Sequence, residues 1–511
     1  MRVSITDLLL WLLWTFPLAF CQLQPQFVLN LDNVREQPFE SWVVEQKSIS
    51  FDSMLQNIGG FSSFLDASVP NGVVIASPSK ADPDYFYQWT RDSSLTINSL
   101  VLHIADLGFV NVTKISSIVE DYIENQYYLQ RMDNLSGTWD DPCKASLGEP
   151  KFLPNNTVFN EVWGRPQLDG PGLRATSIIH YINVLEHFNK SLSNDFLNDT
   201  ATIYHEIIKP DLTFIICNWN KTGFDLWEEV ESYHFFTSLT QLRALSDGLS
   251  MAQRYLDLEE FINRLQSSFD DLSRFIQYES GFISDRPYIL ETPQLVKTGE
   301  RSGLDAATLL GSIHTHLLNS PLLQDYSIPF DTNNTHLLNT LDAMVADMKY
   351  RYPINHAARG KTGCGVALGR YPEDIYDGYS TSEGNPWFIS TATAAEVAYR
   401  YIYQLKTNQK DIVLSEDILK FLRQFIKDKV ETNDVVQYGS ATFDSIIGNL
   451  FKYADSYLQI IKDHVDDRGN ISEQFNRYNG FMQGARQLTW SHSAIWNALR
   501  WRKICVEMMH R

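Results

Sequence analysis

The sequence predicts an all-α domain in which pairs of helices form a ring, with the loops at one end of the ring converging. Apolar residues recur at helical spacing along much of the chain, whereas strand-like alternation is scarce and brief. Six polar and aromatic clusters also precede helical segments at intervals of 63 to 103 residues, a length that suits a helical hairpin. The clusters are centred on Arg91, Arg165, Glu228, Arg301, Arg370 and Glu473.

The first residues, "MRVSITDLLLWLLWTFPLAFCQ", are typical of a secretory signal peptide that ends at Cys21. Asp7 beside the apolar run is atypical. The run is shorter than the roughly 20 residues that a membrane-spanning helix needs, which makes a retained anchor the weaker alternative. We therefore assign residues 1–21 to a signal peptide, 22–50 to a lead-in arm and 51–511 to one domain, since no low-complexity linker divides the rest.

Each of the six clusters is expected to lead into a helix. The first helix shows the pattern at Ile97, Leu100, Val101 and Ile104. A further helix with the same periodicity is expected around Ile115 to Ile123. The six expected helical segments are 94–107, 173–187, 235–245, 306–313, 389–403 and 488–499.

Charge, aromatic content and the absence of known motifs limit the classes of partner and substrate that the protein can have. A net charge of -20 and a pI near 5.0 oppose broad attraction to nucleic acid or to anionic membranes, so neither is expected as a partner. Aromatic residues at 13% and twelve tryptophans favour a site with flat walls for a neutral substrate. Phosphate-loop, dinucleotide, HExxH and GxSxG motifs do not occur. His314 and His316 point apart on a helix, so we expect no metal and no cofactor.

Cysteines and glycosylation sequons agree with passage through an oxidising lumen. Beyond Cys21, four cysteines are compatible with two disulfides in any of three pairings, and Cys217 in "TFIICNW" is alternatively a buried free thiol. Eight asparagines begin N-x-S/T triplets: Asn111, Asn134, Asn155, Asn189, Asn198, Asn220, Asn333 and Asn470.

The segment "TGFDLWEEVESYHFF", residues 222–236, sets three carboxylates among aromatic residues. Such crowding raises carboxyl pKa values, as a catalytic acid requires, although a helix start would also place acids there. Asp225 and Glu228 are too close in sequence to act from opposite sides of one bond, so a distant partner is expected. The best candidate is Glu473 in "GNISEQFNRYNGFMQG"; its alternative role is a capping box with Asn470.

Five separated motifs together resemble the fungal glucoamylases, with the yeast members most similar. The resemblance spans residues 73 to 494 and implies an (α/α)6 barrel that removes β-d-glucose from the non-reducing ends of α-1,4-glucans by inversion. The motifs are "VVIASPSKADPDYFYQWTRDSSLTI", "WGRPQLDGPGLRA", "TGFDLWEEVESYHFFTSLTQ", "GRYPEDIYDGY…SEGNPWF" and "SEQFNRYNGFMQGARQLTWSHSA".

The resemblance also implies residue roles. Glu228 matches the family's general acid and Glu473 its general base; Asp225 has also been assigned as proton acceptor, and we rank it below Glu473. The residues implied to bind the terminal sugar are Tyr85, Trp89, Arg91, Asp92, Trp163, Leu226 and Trp227 through their carbonyls, Glu229 and Arg370, with Trp387 and Trp490 as further wall candidates.

Several expectations follow from these assignments. Glu228, crowded by Asp225 and Glu229, should keep its proton at mildly acidic pH, while a better-solvated Glu473 stays ionised. The chain stops at Arg511 without the linker and starch-binding domain of many secreted relatives. We therefore expect a monomer acting on soluble dextrins or glycogen, outside the cell or in the vacuolar lumen. A different exo-glycosidase and an inactive glucan-binding protein are the alternatives.

Overall fold

The computed structural model describes residues 37–61, 65, 68–318 and 328–510. The expected signal peptide and residues 22–36 of the expected arm lie outside this range. The described part contains fifteen α-helices, none of which is long and apolar enough to cross a membrane. In chain order α1 to α15 are Phe39–Gln56, Thr90–Asp106, Thr113–Gln130, Gly170–His187, Thr200–Ile203, Lys209–Asn218, Phe235–Arg254, Glu259–Arg274, Pro293–Thr298, Ala306–Thr315, Thr335–Arg351, Phe388–Asn408, Glu416–Leu422, Ala441–His464 and Thr489–Met509.

Six helices form a closed inner ring. The order is α2, α4, α7, α10, α12 and α15; each helix contacts the next, and α15 returns to α2. These are the six helices expected after the polar and aromatic clusters. Two begin three or four residues earlier than expected: α2 starts at Thr90 and α4 at Gly170. Arg91 and Asp92 therefore belong to the first turn of α2 instead of the loop before it.

An outer layer of six helices covers the ring. Helices α3, α6, α8, α11, α14 and α1 pack on α2, α4, α7, α10, α12 and α15 respectively. The burial pattern explains the two layers. In α12 every residue from Phe388 to Ile402 is buried, whereas the outer helix α8 buries only the stripe Phe261, Leu265, Ser268 and Leu272. The architecture is an (α/α)6 barrel, as expected.

Helix α1 completes the outer layer and joins the two ends of the chain. It runs across residue 50, where we expected the lead-in arm to end, and packs against α15 at the C-terminal end. Arg502 of α15 donates to both carboxylate oxygens of Glu40 at 2.6 and 3.0 Å. Residues 39–50 thus belong to the barrel's outer layer.

Short antiparallel ribbons lie in the described loops at both ends of the barrel. Strand β1 (Gln88–Trp89) pairs with β2 (Lys151–Phe152), and β3 (Gly223–Phe224) pairs with β4 (Glu231–Ser232). Strand β5 (Ile412–Val413) pairs with β6 (Val435–Val436), and β7 (Ser472–Phe475) with β8 (Met482–Arg486). Three of these ribbons lead into inner helices: β1 into α2, β4 into α7 and β8 into α15.

Only one of the cysteine pairings left open by the sequence occurs among the described residues. Cys143 and Cys217 form a disulfide that ties the loop before α4 to the end of α6. The alternative interpretation of Cys217 as a free thiol is therefore wrong. Cys364 and Cys505 are free, so the second disulfide that four cysteines allowed does not form.

Candidate active site

A cavity of about 230 Å³ opens at the end of the barrel where the inner helices begin. Every site residue expected from the sequence lines it except Asp225. Its walls are Ala76, Tyr85, Trp89, Arg91, Asp92, Trp163, Leu226, Trp227, Glu228, Glu229, Arg370, Tyr376, Trp387, Glu473, Leu488 and Trp490. Residues from five separate stretches of the chain therefore meet in one place.

Glu228 lies in a tight turn between β3 and β4. The Glu228 amide donates to the Asp225 carbonyl at 2.9 Å, and the Asp225 amide donates to the Val230 carbonyl at 3.0 Å. Glu228 has a φ of +68°, a conformation that costs free energy in non-glycine residues and is found at functional sites. The helix-start interpretation of residues 222–236 is wrong for this turn, since α7 begins only at Phe235.

Asp225 holds that turn together and faces away from the cavity. Its Oδ1 accepts hydrogen bonds from the amides of Glu229 and Val230 at 2.7 and 2.8 Å. Only 2% of the residue is exposed. Its position fits a structural role in the acid-bearing loop.

The Glu228 carboxyl group is held by four side chains that present N–H groups. Its Oε1 accepts from Trp89 Nε1 at 2.7 Å, Gln167 Nε2 at 2.9 Å and Arg91 Nη2 at 3.3 Å. Its Oε2 accepts from Trp163 Nε1 at 2.8 Å. Both oxygens are fixed, so the carboxyl group has one orientation toward the cavity.

Glu229 points to a different set of partners. Arg370 and Arg301 each donate to it at 2.8 Å, and the Tyr371 hydroxyl donates to Oε2. Burial raises the pKa of Glu229, but Arg370, Tyr371 and Arg301 together hold it below the usual value. With Asp225 bound to backbone amides and Glu229 paired with arginines, the expected crowding of Glu228 by these two acids does not occur.

Glu473 projects from β7 into the same cavity and is only 1% exposed. Burial raises its pKa to about 8, outweighing the lowering by hydrogen bonds from Tyr85 and Tyr376 and by the Arg370 charge. Two expectations are therefore wrong. Glu473 is not the better-solvated carboxyl group, and it does not cap a helix, since it lies in a strand and α15 starts at Thr489.

The β7–β8 ribbon leaves room for Glu473 only because its partner strand carries a glycine. Gly484 has a φ of +74°, and a Cβ atom there would lie 2.3 Å from Glu473 Oε2. Any other residue would be strained and would displace the carboxyl group. The sequence showed this glycine in "FMQGAR", but only the pairing of the strands reveals why it matters.

The first turn of α2 supplies a buried charge pair beside Glu228. Arg91 donates at 2.9 Å to both Gln167 Oε1 and Asp169 Oδ2, while its Nε makes no hydrogen bond within the described residues and lies 3.8 Å from Asp92 Oδ2. Burial raises the pKa of Asp92 to about 7, despite the Arg91 charge that lowers it. Both side chains reach the cavity wall and can exchange hydrogen bonds with hydroxyl groups.

Tryptophan rings form much of the remaining wall. Trp227 and Trp387 pack edge to face at 5.5 Å, and the Trp227 indole donates to Asp305 Oδ1 at 3.0 Å. Trp387 Nε1 and Trp490 Nε1 have no acceptor within the described part of the chain. Flat apolar faces suit the binding of sugar rings.

Sequence reasoning missed several residues of this site. Gln167 bridges Arg91 and Glu228, and Tyr376 lies between Tyr85 and Arg370. Gln167 was in the quoted motif "WGRPQLDGP", but nothing in the spacing showed that it reaches Glu228. Arg301 and Tyr371, which hold Glu229, come from loops 72 and 142 residues away.

Comparison with known proteins agrees with this geometry. The family model for glycosyl hydrolases family 15 matches residues 49–500. The chain belongs to this family.

Individual relatives cover most of the chain. A glucoamylase of Saccharomycopsis fibuligera is 40% identical over 479 residues, which cover 91% of this chain and 90% of the relative. An intracellular sporulation-specific glucoamylase of Saccharomyces cerevisiae is 40% identical over 91% of this chain and 84% of its own length. Among solved structures, a glucoamylase from Saccharomycopsis fibuligera matches with a TM-score of 0.87 at 39% identity, covering 93% of this chain and 97% of that one. The family-15 fold and the resemblance expected from the motifs are confirmed.

Proposed function

We propose that this family-15 hydrolase is a glucoamylase, which releases β-d-glucose from the non-reducing ends of α-1,4-glucans with Glu228 as general acid and Glu473 as general base. One observation carries the proposal. Two carboxyl groups from distant parts of the chain line the same small cavity, and one of them is clamped by two indole N–H groups. An inverting glycosidase needs such a pair, one carboxyl group on each side of the bond that breaks.

In the proposed reaction Glu228 gives its proton to the glycosidic oxygen as the C1–O bond breaks. Glu473 takes a proton from the water that attacks C1 on the opposite face of the ring. Inversion at C1 turns the α-linkage into β-glucose. Water is itself a substrate here, and when it donates to Glu473 it restores solvation that burial removes, which favours the ionised base.

The remaining wall residues would bind the terminal glucose. Arg91 and Asp92 would bind its hydroxyls on one side, and Arg370 with Glu229 on another. Tyr85 and Trp89 pack against each other at 5.5 Å and present ring faces where positive charge develops in the transition state. The cavity volume of about 230 Å³ suits one sugar ring more than a long chain, which agrees with cleavage from the end.

We further propose that the enzyme works as a monomer on dextrins or glycogen after entering the secretory pathway, outside the cell or in the vacuolar lumen. The Cys143–Cys217 disulfide supports an oxidising compartment. Six of the eight sequon asparagines are exposed, as glycan acceptors must be in the folded protein: Asn111, Asn155, Asn189, Asn198, Asn220 and Asn333.

The anomer released first from maltopentaose tests the mechanism. We expect β-glucose from the wild type by NMR in the first minutes, and at least about 100-fold lower kcat for Glu228→Gln and for Glu473→Gln. The α-anomer would exclude inversion. A Glu473→Gln variant with wild-type kcat would assign the base to another residue; Asp225→Asn tests the residue ranked second.

A further inference from the structure

A buried lysine outside the cavity lies in an aromatic cage. Lys151 is 2% exposed, yet no oxygen among the described residues accepts a hydrogen bond from its ammonium group. Four rings surround the ammonium instead. The distances from Nζ to the ring centroids are 3.5 Å for Trp163, 4.2 Å for Tyr87, 4.2 Å for Phe159 and 4.5 Å for Trp89.

The four rings also contact one another in a closed circuit. Tyr87 packs on Trp89, Trp89 on Trp163, Trp163 on Phe159 and Phe159 on Tyr87, with centroid distances of 5.4 to 6.2 Å. The cation therefore holds together two segments, residues 87–89 and 159–163. A desolvated ammonium is attracted strongly to ring faces, because its competing hydration is lost.

Two of the caged rings are the indoles that grip the proposed acid. Trp89 Nε1 donates to Glu228 Oε1 at 2.7 Å, and Trp163 Nε1 donates to Oε2 at 2.8 Å. A ring that tilts in the cage moves its N–H away from the carboxyl oxygen. The Trp163 segment has few other restraints on its outer side, where Val162 is 97% exposed.

We infer that Lys151 is a positioning residue for Glu228: its ammonium sets the two indoles whose N–H groups fix the carboxyl group. The inference rests on the proposed role of Glu228. Lys151 does not line the cavity and so would not touch a sugar bound there. Its position is set by the β1–β2 ribbon, in which Lys151 lies directly opposite Trp89. Burial lowers the pKa of Lys151 to about 8, with the nearby Glu228 charge opposing the change, so the cation persists at acidic pH.

The inference predicts an effect on the chemical step more than on binding. Lys151→Met keeps an unbranched side chain, one atom shorter, and removes the charge. We expect kcat on maltopentaose to fall about 10- to 100-fold with less than a threefold change in KM, since a misplaced acid harms the transition state selectively. Lys151→Arg should recover part of that loss, because it keeps the charge that attracts the rings.

A matched control is the half-buried Lys144, in the loop before α4. Lys144 also stacks on an indole, with its Nζ 4.1 Å from the Trp139 centroid, and donates to the Trp139 carbonyl. Trp139 contacts neither Glu228 nor the cavity. Lys144→Met should therefore leave kcat and KM unchanged.

A double-mutant cycle separates positioning from general damage. Trp163→Phe keeps a ring in the cage but deletes the N–H that binds Glu228. If Lys151 acts through this indole, Lys151→Met should lower kcat less in the Trp163→Phe variant than in the wild type. We expect the decrease in log kcat to be less than half as large. The inference would be overturned if the double variant lost kcat by the product of the two single losses. It would also be overturned if Lys151→Met and Lys151→Arg lowered kcat equally.

Controls keep this inference distinct from the proposed function. Melting temperatures identify variants that are merely unfolded. If Lys151→Met is one of them, the double-mutant cycle with Trp163→Phe is carried out with Lys151→Arg instead. If Glu228→Gln retains activity, the proposed acid is wrong whatever Lys151 does. If Glu228→Gln is inactive while Lys151→Met matches the wild type, only the role of Lys151 is refuted.

Discussion

The Tyr376 hydroxyl helps to set the pH below which activity is lost, because it lowers the pKa of Glu473. Glu473 can act as a base only when ionised, so the rate falls as pH drops through its pKa. Burial raises that pKa, and the hydroxyls of Tyr85 and Tyr376 lower it by donating to the carboxylate. Tyr376→Phe removes one donor and leaves the ring in the wall, so the acidic limb should move to higher pH.

The size of the shift follows from the strength of the lost bond. A hydrogen bond to a charged group is worth about 1.5–3 kcal/mol, and about 1.4 kcal/mol corresponds to one pKa unit. Tyr85 remains and can turn toward the carboxylate, because its hydroxyl is released from the 3.0 Å contact with Tyr376. We therefore take the lower value of the hydrogen-bond free energy and expect the acidic limb to move up by about one pH unit.

The assay is kcat/KM on maltotriose from pH 3 to 8 for wild type and Tyr376→Phe. Tyr379→Phe is the matched control, because this tyrosine is 47% exposed and lies on the same loop outside the cavity lining. An acidic limb that stays in place, or that moves to lower pH, would refute the assignment of Tyr376 as a donor to the ionised base.

Three further predictions follow, two from the surroundings of Glu473 and one from a buried ion pair, Arg174–Asp211, that joins α4 to α6. Glu473→Gln should raise Tm at pH 7 and change it little at pH 4, as measured by calorimetry at both pH values. The reason is that a carboxyl group whose pKa is raised in the folded state destabilises the protein once the pH exceeds the unfolded value near 4.5. We expect the destabilisation that the substitution removes at pH 7 to be at least about 1 kcal/mol. Gly484→Ala should lower kcat at least about tenfold, because the new Cβ would meet Glu473 Oε2 at 2.3 Å; an active variant with wild-type kinetics would show that β8 yields easily. Arg174→Met should cost about 3–5 kcal/mol in urea unfolding, since it leaves Asp211, bound at 2.5 and 2.9 Å, as an unpaired buried charge; a loss below 1 kcal/mol would contradict this.

The sequence allowed most of the site to be predicted because long motifs kept their order along the chain. It failed on the environment of the two carboxyl groups. Crowding of Glu228 was inferred from Asp225 and Glu229 as sequence neighbours, but their side chains turn to backbone amides and to arginines. Glu473 was expected to be the better solvated of the two as the ionised base, yet the cavity wall buries it. Neighbours in sequence do not determine neighbours in space within a turn or a ribbon.

The sequence by itself determined the helical class and the six inner helices, since apolar periodicity is a property of short segments. The residues that converge on the cavity were predicted through the resemblance of the motifs to a known family. Only the tertiary structure decided which groups surround each charge. The Cys143–Cys217 pairing, the bridge from Gln167 to Glu228 and the cage around Lys151 all join residues far apart in sequence. Hydrogen bonding and desolvation act over a few ångströms of space, so they are fixed only once the barrel has closed.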